Sequence, residues 1–559
     1  MKGSVKQEMM KEFSCANIKS LLSMTGLYLA LLLSICVDLT GQNNSVFNLL
    51  EGDSLNISVE ARGEIQWQQS SDSITWADIS GENKSKLTLL AENNTYYRAR
   101  ISEPDCESIY SDPSFTRVIP VEDRKNIIFI LVDDMGWRDL VCYGSDFYET
   151  PNIDKLARGG IRFTNAYSAH PVCSPTRSSI ATGKYPARLH VTAYIPGKEK
   201  PYAKLKHPVD WTKYLKMSET TYAEVLRDHG YKTFHAGKWH LGQLSPIYHG
   251  FDVIDKNLGH SAGTDDPKND HKYTESAMAF IEENKDSLFL AVISHNTVHV
   301  VLETRKELED KYKAKEPGSF GQDNATMAGM IESLDQSVGI LMNKLEDLHL
   351  LDKTYIIFLS DNGGLKTATS NRPLRGSKSQ CFEGGIRVPF IVKGPRLPRN
   401  QQVSYPVISN DIFPTMLSMA GIELMPEVHM DGISLMPLLT GEAVELEREN
   451  LFFHYPHYQS LPPHSAIRSG NWKLIEHYED EKVELFDLST DIGESNNLAG
   501  TQVEKRDELL QLLHDHLTEI GAQLPTPNPD YDPDRVNEGQ HGTMDPEELL
   551  QPEYLNWDN

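Results

Sequence analysis

The chain has 559 residues, with 54 Lys and Arg against 80 Asp and Glu, for a formal net charge of −26. Apolar residues make up 39% and charged residues 24%. This ordinary globular composition excludes a multi-span membrane protein, a collagen-like chain and a fully disordered one. So acidic a chain repels nucleic acid and anionic membranes at long range, and an anionic substrate would need positive charge gathered in a pocket.

Residues 21–36, LLSMTGLYLALLLSIC, are an apolar run too short for a comfortable membrane span and follow Lys2, Lys6, Lys11 and Lys19. They predict a signal peptide over 1–41, cleaved before Gln42, and export to the periplasm, cell surface or medium with no integral span remaining. An uncleaved anchor helix is the alternative, and Met9 or Met10 would serve as start. Of six cysteines, Cys15 and Cys36 fall in this segment, leaving Cys106, Cys142, Cys173 and Cys381. These are too few for a disulfide framework in an exported chain of this length, so at least one is expected to do chemistry.

Residues 42–120 show short alternating segments punctuated by Gly, Asn, Ser and Asp, with Trp67 and Tyr97 as core aromatics. The pattern predicts an immunoglobulin-like β-sandwich, a spacer or a glycan-attachment module. From 124 to 440 the pattern is α/β. Continuous apolar runs at Ile127–Val132, Ser287–Ser294 and Thr354–Ser360 predict strands buried on both faces. Asn152–Gly159 predicts a short helix and 323–350 a long amphipathic one. Residues 441–520 predict a C-terminal subdomain of antiparallel strands closed by a helix at 501–519. Residues 521–559 form an acidic, Pro-rich tail, expected to lie on the surface or stay extended.

Three of the buried strands end in polar residues: Asp133-Asp134, His295 to His299, and Asp361-Asn362. Ligands of open α/β sheets bind beyond the carboxyl ends of the strands. Paired carboxylates and an amide at two such ends form a hard-oxygen set suited to Ca²⁺ or Mg²⁺. Between them lies Cys173-Ser-Pro-Thr-Arg177, followed by Thr182-Gly183. Together with Leu131-Val-Asp-Asp-Met-Gly, Gly237-Lys238-Trp-His240, Asn296-Thr-Val-His299, Ser360-Asp361-Asn362-Gly-Gly, and Gly376-Ser-Lys378 with Phe382-Glu-Gly-Gly-Ile-Arg-Val-Pro, this run resembles the type I, formylglycine-dependent sulfatases. One departure is Val300-Val301, where that family usually has Thr-Pro. Within the family, Tyr185-Pro-Ala-Arg-Leu-His-Val-Thr is similar to the arylsulfatase A and N-acetylgalactosamine sulfatase side.

The resemblance implies an alkaline-phosphatase-like fold with a mixed central sheet flanked by helices. It implies that a formylglycine-generating or anaerobic sulfatase-maturating enzyme oxidises Cys173 to formylglycine. The hydrate of that aldehyde attacks sulfur, gives a covalent sulfoenzyme, and expels sulfate as the aldehyde reforms. Asp133, Asp134, Cys173, Asp361 and Asn362 are then the metal site, for Ca²⁺ or Mg²⁺. Arg177 steadies the hydrated aldehyde and a metal ligand, and Lys238 and Lys378 meet the sulfate oxygens. His240 contacts the nucleophile. His299 is the acid for the leaving sugar oxygen, with His295, four residues earlier on the same strand end, competing for that role. His190, Arg375, His454 and His457 are candidates for the rim that meets the sugar. The expected substrate is a sulfated oligosaccharide from ulvan, carrageenan-type galactan or glycosaminoglycan, attacked by a polysaccharide-degrading bacterium. The alternatives are a phosphodiesterase or phosphonate monoester hydrolase of the same fold, or an inactive surface glycan-binding protein.

Overall fold

The computed structural model describes residues 46–542, apart from 51–53, 60, 62, 91, 105–107, 120–123 and 256–260. The expected signal segment, Cys106 and the end of the acidic tail lie outside the described residues. The chain forms two compact units, one ending at Arg124 and one beginning at Lys125.

The N-terminal unit is all-β. One sheet orders the strands Val46–Leu50, Ser114–Ile119, Thr95–Ser102, Glu64–Ser70 and Ala77–Asp78, with Ile109–Tyr110 alongside Thr95–Ser102; Ser54–Ser58 pairs with Lys86–Leu90 in a second. Every second residue of the Thr95–Ser102 strand is buried, as the pleat dictates. Trp67 and Tyr97 join Leu55, Leu87, Ala99 and Ile101 in one core. The Trp67 indole N–H donates to the Lys84 carbonyl at 2.8 Å, so the large ring is buried without an orphaned donor.

The second unit is built on an eight-stranded sheet. In chain order its strands are β1 (Asn126–Val132), β2 (Ile161–Phe163), β3 (Lys232–Gly237), β4 (Val253–Ile254), β5 (Phe289–Ser294), β6 (Thr354–Ser360), β7 (Phe390–Lys393) and β8 (Gln401–Val403). Their spatial order is β4-β3-β5-β1-β6-β7-β2-β8. From β4 to β6 all neighbours are parallel; β7 runs antiparallel to both β6 and β2. Every residue of β1, β5 and β6 is buried, which is why they read as unbroken apolar runs.

Helices cover this sheet: α1 (Pro151–Arg158), α2 (Cys173–Thr182), α3 (Asp270–Glu283) and α4 (Ala325–Asp347) are those the argument needs. The Asn324 side chain caps α4 by accepting from Met327 N at 3.0 Å. Mid-helix, the buried Asp335 carboxylate accepts from the Asn152 and Ile153 N–H groups and so pins the N-terminus of α1.

The C-terminal part is a four-stranded antiparallel sheet, β9 (Asn450–Tyr455) to β12 (Val483–Asp487) through β10 (His464–Ser469) and β11 (Trp472–His477), backed by α5 (Val503–Glu519). Beyond α5 the chain is not loose. Thr526–Pro527 pairs with Leu205–Lys206, and Gln540–His541 with Lys198–Glu199.

Candidate active site

Register builds the site. Gly237 of β3 lies opposite Ser294 of β5, Ser294 opposite Leu131 of β1, and Leu131 opposite Leu359 of β6. Four parallel strands therefore end at one level, and the residues that follow them, Lys238, His295–His299, Asp133-Asp134 and Asp361-Asn362, converge there.

The nucleophile candidate arrives on α2. Every residue of this helix is buried although half are polar. Three of the hydroxyls are absorbed locally: Thr176 and Ser178 donate to the Val172 and Pro175 carbonyls, and Thr182 to Ser178 O. Gly183 ends the helix at φ +68°, and a Cβ there would meet the His429 Cβ at 2.5 Å, so both conformation and space demand glycine. Cys173 opens the helix, at its electropositive end.

Cys173 Sγ lies 3.2 Å from His240 Nδ1. His240 Nε2 is 2.7 Å from the Ile195 carbonyl, to which it must donate, so Nδ1 is the acceptor facing residue 173. Burial and then the Lys238 charge push the His240 imidazole down to about 3, which keeps it neutral. Both His240 (φ +58°) and Asp134 (φ +64°) hold left-handed backbone, the kind of strain that surrounding packing imposes at a functional centre.

The charges interlock. Lys238 Nζ is 2.6 Å from Asp133 Oδ2, and Lys378 Nζ is 2.6 Å from Asp134 Oδ1. Arg177 donates through Nε to Asp361 Oδ2 at 2.8 Å, and through Nη1 to both Lys238 O and Ser294 Oγ. Asn362 Nδ2 donates to Asp134 Oδ1 at 2.8 Å. Burial opposes charge on Asp133, yet Lys238, His299, Arg177 and Lys378 hold its carboxyl far below the usual range. Burial and the Asp133 charge push Asp361 up to about 7. Two buried carboxylates this close do not both ionise comfortably without a cation.

Within this charged cluster Asp133 Oδ1, Asn362 Oδ1 and Arg177 Nη2 are buried without hydrogen-bond partners. Ligand atoms of Asp133, Cys173 and Asp361 lie within 4.8 Å of one another, as do those of Asp133, Asp134 and His299. Orphaned hard oxygens beside crowded carboxylates fit a divalent cation.

His299 stands at the mouth, its Nε2 3.9 Å from Asp134 Oδ2 and its Nδ1 donating to Val300 O at 2.6 Å. It lines a cavity of about 440 Å³ with Asp133, Lys238, Trp239, His240 and Lys268.

The other expected rim residues are placed elsewhere, and none of them lines this cavity. His295 is buried on Asp270, Nδ1 to Oδ1 at 2.8 Å. His190 closes a helix turn and contacts the Gly521 carbonyl. Arg375 donates to Glu494 O and covers the Phe382 ring. His454 is held by Ser465 and Gln523, and His457 by Thr192 beneath Trp211. Each of these side chains has a protein partner in the structure. The sequence reading missed Ser294, which holds Arg177, and Lys268; a serine closing a wholly apolar strand was the available signal for the first.

The family described as Sulfatase matches residues 125–422, more than half of the chain, and the chain belongs to that family. The C-terminal family described as N-sulphoglucosamine sulphohydrolase, C-terminal, matches 377–523, and a domain of unknown function matches 40–120. A sulfatase of Formosa agariphila is 32% identical over 67% of this chain and 84% of its own length. Human arylsulfatase A is 30% identical over 71% of this chain and 88% of its own. The crystal structure of Ps i-CgsB in complex with k-i-k-neocarrahexaose superposes with a TM-score of 0.61 at 25% identity, over 73% of this chain and 94% of that one. The protein is a sulfuric ester hydrolase with the alkaline-phosphatase-like fold.

Proposed function

We propose that the chain is an exported carbohydrate sulfatase, matured by oxidation of Cys173, that removes sulfate from oligosaccharides of sulfated polysaccharides. The observation that carries this reading is the 3.2 Å contact between Cys173 Sγ and an acceptor nitrogen of neutral His240, beside the Asp133–Asp361 carboxylates. Ps i-CgsB binds k-i-k-neocarrahexaose, which supports a glycan substrate here.

Hydrated formylglycine at 173 would supply a hydroxyl nucleophile, and a Ca²⁺ or Mg²⁺ ion held by Asp133, Asp134, Asp361 and Asn362 would supply Lewis acidity beside it. The protein's own groups do the rest. His240 Nδ1 is placed to accept the nucleophile's proton. Lys238 and Lys378, each already on an Asp oxygen, offer their remaining N–H groups to the sulfate. Arg177 fixes Asp361. A sugar alkoxide leaves poorly unless protonated, and His299 is the acid at the cavity. With Nδ1 committed to Val300 O, its mobile proton is the one on Nε2. The N-terminal unit serves as an immunoglobulin-like spacer.

The test is mass spectrometry across Cys173 in protein co-expressed with a formylglycine-generating enzyme, with sulfate release followed on aryl sulfate and sulfated oligosaccharides. Oxidation shows as a loss of about 18 Da. Cys173→Ala is expected to cut turnover by at least about 10³-fold. Full oxidation with turnover of phosphate esters alone would refute the reading.

A further inference from the structure

Lys268 stands outside every motif of the sequence, yet it lines the active-site cavity at 4% exposure. Its ammonium donates to two backbone carbonyls of the loop that carries the candidate acid, His299 O at 2.7 Å and Val301 O at 2.6 Å. An ammonium has three N–H groups. The third has no protein acceptor among the described residues, and both acceptors in use are neutral. Lys238 and Lys378 each sit on a carboxylate; Lys268 does not. Burial pushes its pKa down, against the more distant charges of Asp270, Asp133 and Glu303. On the same cavity, Trp239 keeps its indole N–H buried and without a partner. This part of the cavity wall therefore has N–H donors to spare.

We propose that Lys268 marks a second anion subsite, selecting sugars that carry a further sulfate ester or a carboxylate beside the sulfate that is hydrolysed. The proposal rests on the reading of the chain as a carbohydrate sulfatase and narrows its substrate class. Because the same ammonium braces the loop bearing His299, filling the subsite also fixes the proton donor.

The experiment measures binding, so it does not depend on turnover. In the full-length Cys173→Ala protein with Ca²⁺, calorimetry compares a singly sulfated hexose, a disulfated hexose and a singly sulfated hexose linked to a uronate, in galacto and gluco series. A doubly anionic ligand is expected to bind at least about tenfold tighter than the singly sulfated one, the value of one charged hydrogen bond. Lys268→Met in that background should erase the difference and Lys268→Arg should keep part of it. The arm that shows the gap tells sulfate from carboxylate. Equal weakening of all ligands by Lys268→Met would reduce Lys268 to a loop brace and overturn the proposal. So would absence of any preference in the Cys173→Ala protein. If Lys268→Met does not fold, Lys268→Arg is read by the same ratio. Failure of the parent reading is seen separately, as no sulfate release by oxidised wild-type protein.

Discussion

Two groups of charged side chains are buried in the catalytic unit, and they differ in what is left over. In the C-terminal group, Lys473 of β11 sits between Glu383 Oε1 at 2.9 Å and Glu494 Oε1 at 2.8 Å, all three fully buried. Glu383 Oε2 is met by Tyr167 and Arg387 and Glu494 Oε2 by the Glu383 N–H, while Glu494 Oε1 has no hydrogen bond and is met only by the ammonium charge of Lys473. At the strand ends, by contrast, Asp133, Asn362 and Arg177 each keep an unpaired buried atom. A cluster that satisfies itself holds the C-terminal sheet to the segment carrying Lys378. One that does not is built for a ligand. Burial alone would not have separated them; the number of orphaned atoms does, three at the strand ends against one, Glu494 Oε1, which lies 2.8 Å from a buried ammonium.

The largest test removes a ligand oxygen from the open cluster. Asp133→Asn is expected to lower sulfate release by several kcal/mol, on the order of 10³-fold or more, and to abolish the thermal stabilisation that Ca²⁺ gives the wild type. Without cation the variant should melt somewhat lower than wild type, since the buried Lys238 ammonium loses its carboxylate, offset in part by relief of the crowding with Asp361. A variant that melts lower in chelator, with its Ca²⁺ response intact, would make the strand-end cluster a structural one.

The closed cluster should answer in the opposite sense. Lys473→Met leaves two carboxylates facing each other in a dry interior, a cost of about 3–5 kcal/mol. Denaturant unfolding should show it, while the Ca²⁺-dependent shift in melting persists. Loss of the Ca²⁺ shift without loss of stability would mean that the cluster belongs to the catalytic machinery.

Two histidines draw the same contrast within one strand end. His299→Gln should cost about 10²-fold or more on a sugar sulfate and far less on nitrophenyl sulfate, whose leaving group needs no proton. His295→Gln, which disturbs only a buried contact with Asp270, should lower both substrates to a similar, smaller extent. Reversed behaviour would return the acid role to His295.

The strand ends were legible in sequence because parallel strands buried on both faces read as apolar runs, and each run breaks abruptly into Asp, Asn or His. β3 was not, because its Lys232, Thr233 and His235 interrupt the run; only the Gly-Lys-Trp-His segment announced it. His295 and His299 share strand parity, but the chain leaves the strand at Ser294, so the alternation that would put both on one face no longer applies. The partners of the rim histidines were not legible for a related reason. Polarity in sequence does not say whether a carbonyl from the segment after α5, Gly521 for His190 and Gln523 for His454, already meets a ring nitrogen. The strapping of the tail by two short pairings was invisible, because backbone pairing needs no side-chain pattern.

The smallest effect probes the closed cluster by pH. Burial, with help from the Glu383 charge and against Lys473, pushes the Glu494 carboxyl up to about 7 from its ordinary 4.5. Glu383 moves the other way, to about 2: burial opposes its charge, but Lys473, Arg387 and Arg468 outweigh it. A raised carboxyl binds its proton more tightly folded than unfolded. Its contribution is therefore complete below about 4.5 and lost as pH rises through about 7. The Glu383 contribution falls away only below its ordinary pKa, so the two do not overlap between pH 5 and 8. Glu494→Gln keeps the oxygen that the Glu383 N–H needs and cannot ionise. Measured across that range by urea unfolding, the wild type should lose on the order of 1 kcal/mol relative to the variant as pH rises. If the wild type instead gains on the variant, both carboxylates are charged beside a single lysine. The cluster would then owe its stability to Arg387 and Arg468, and Lys473→Met would prove milder than the closed arrangement demands.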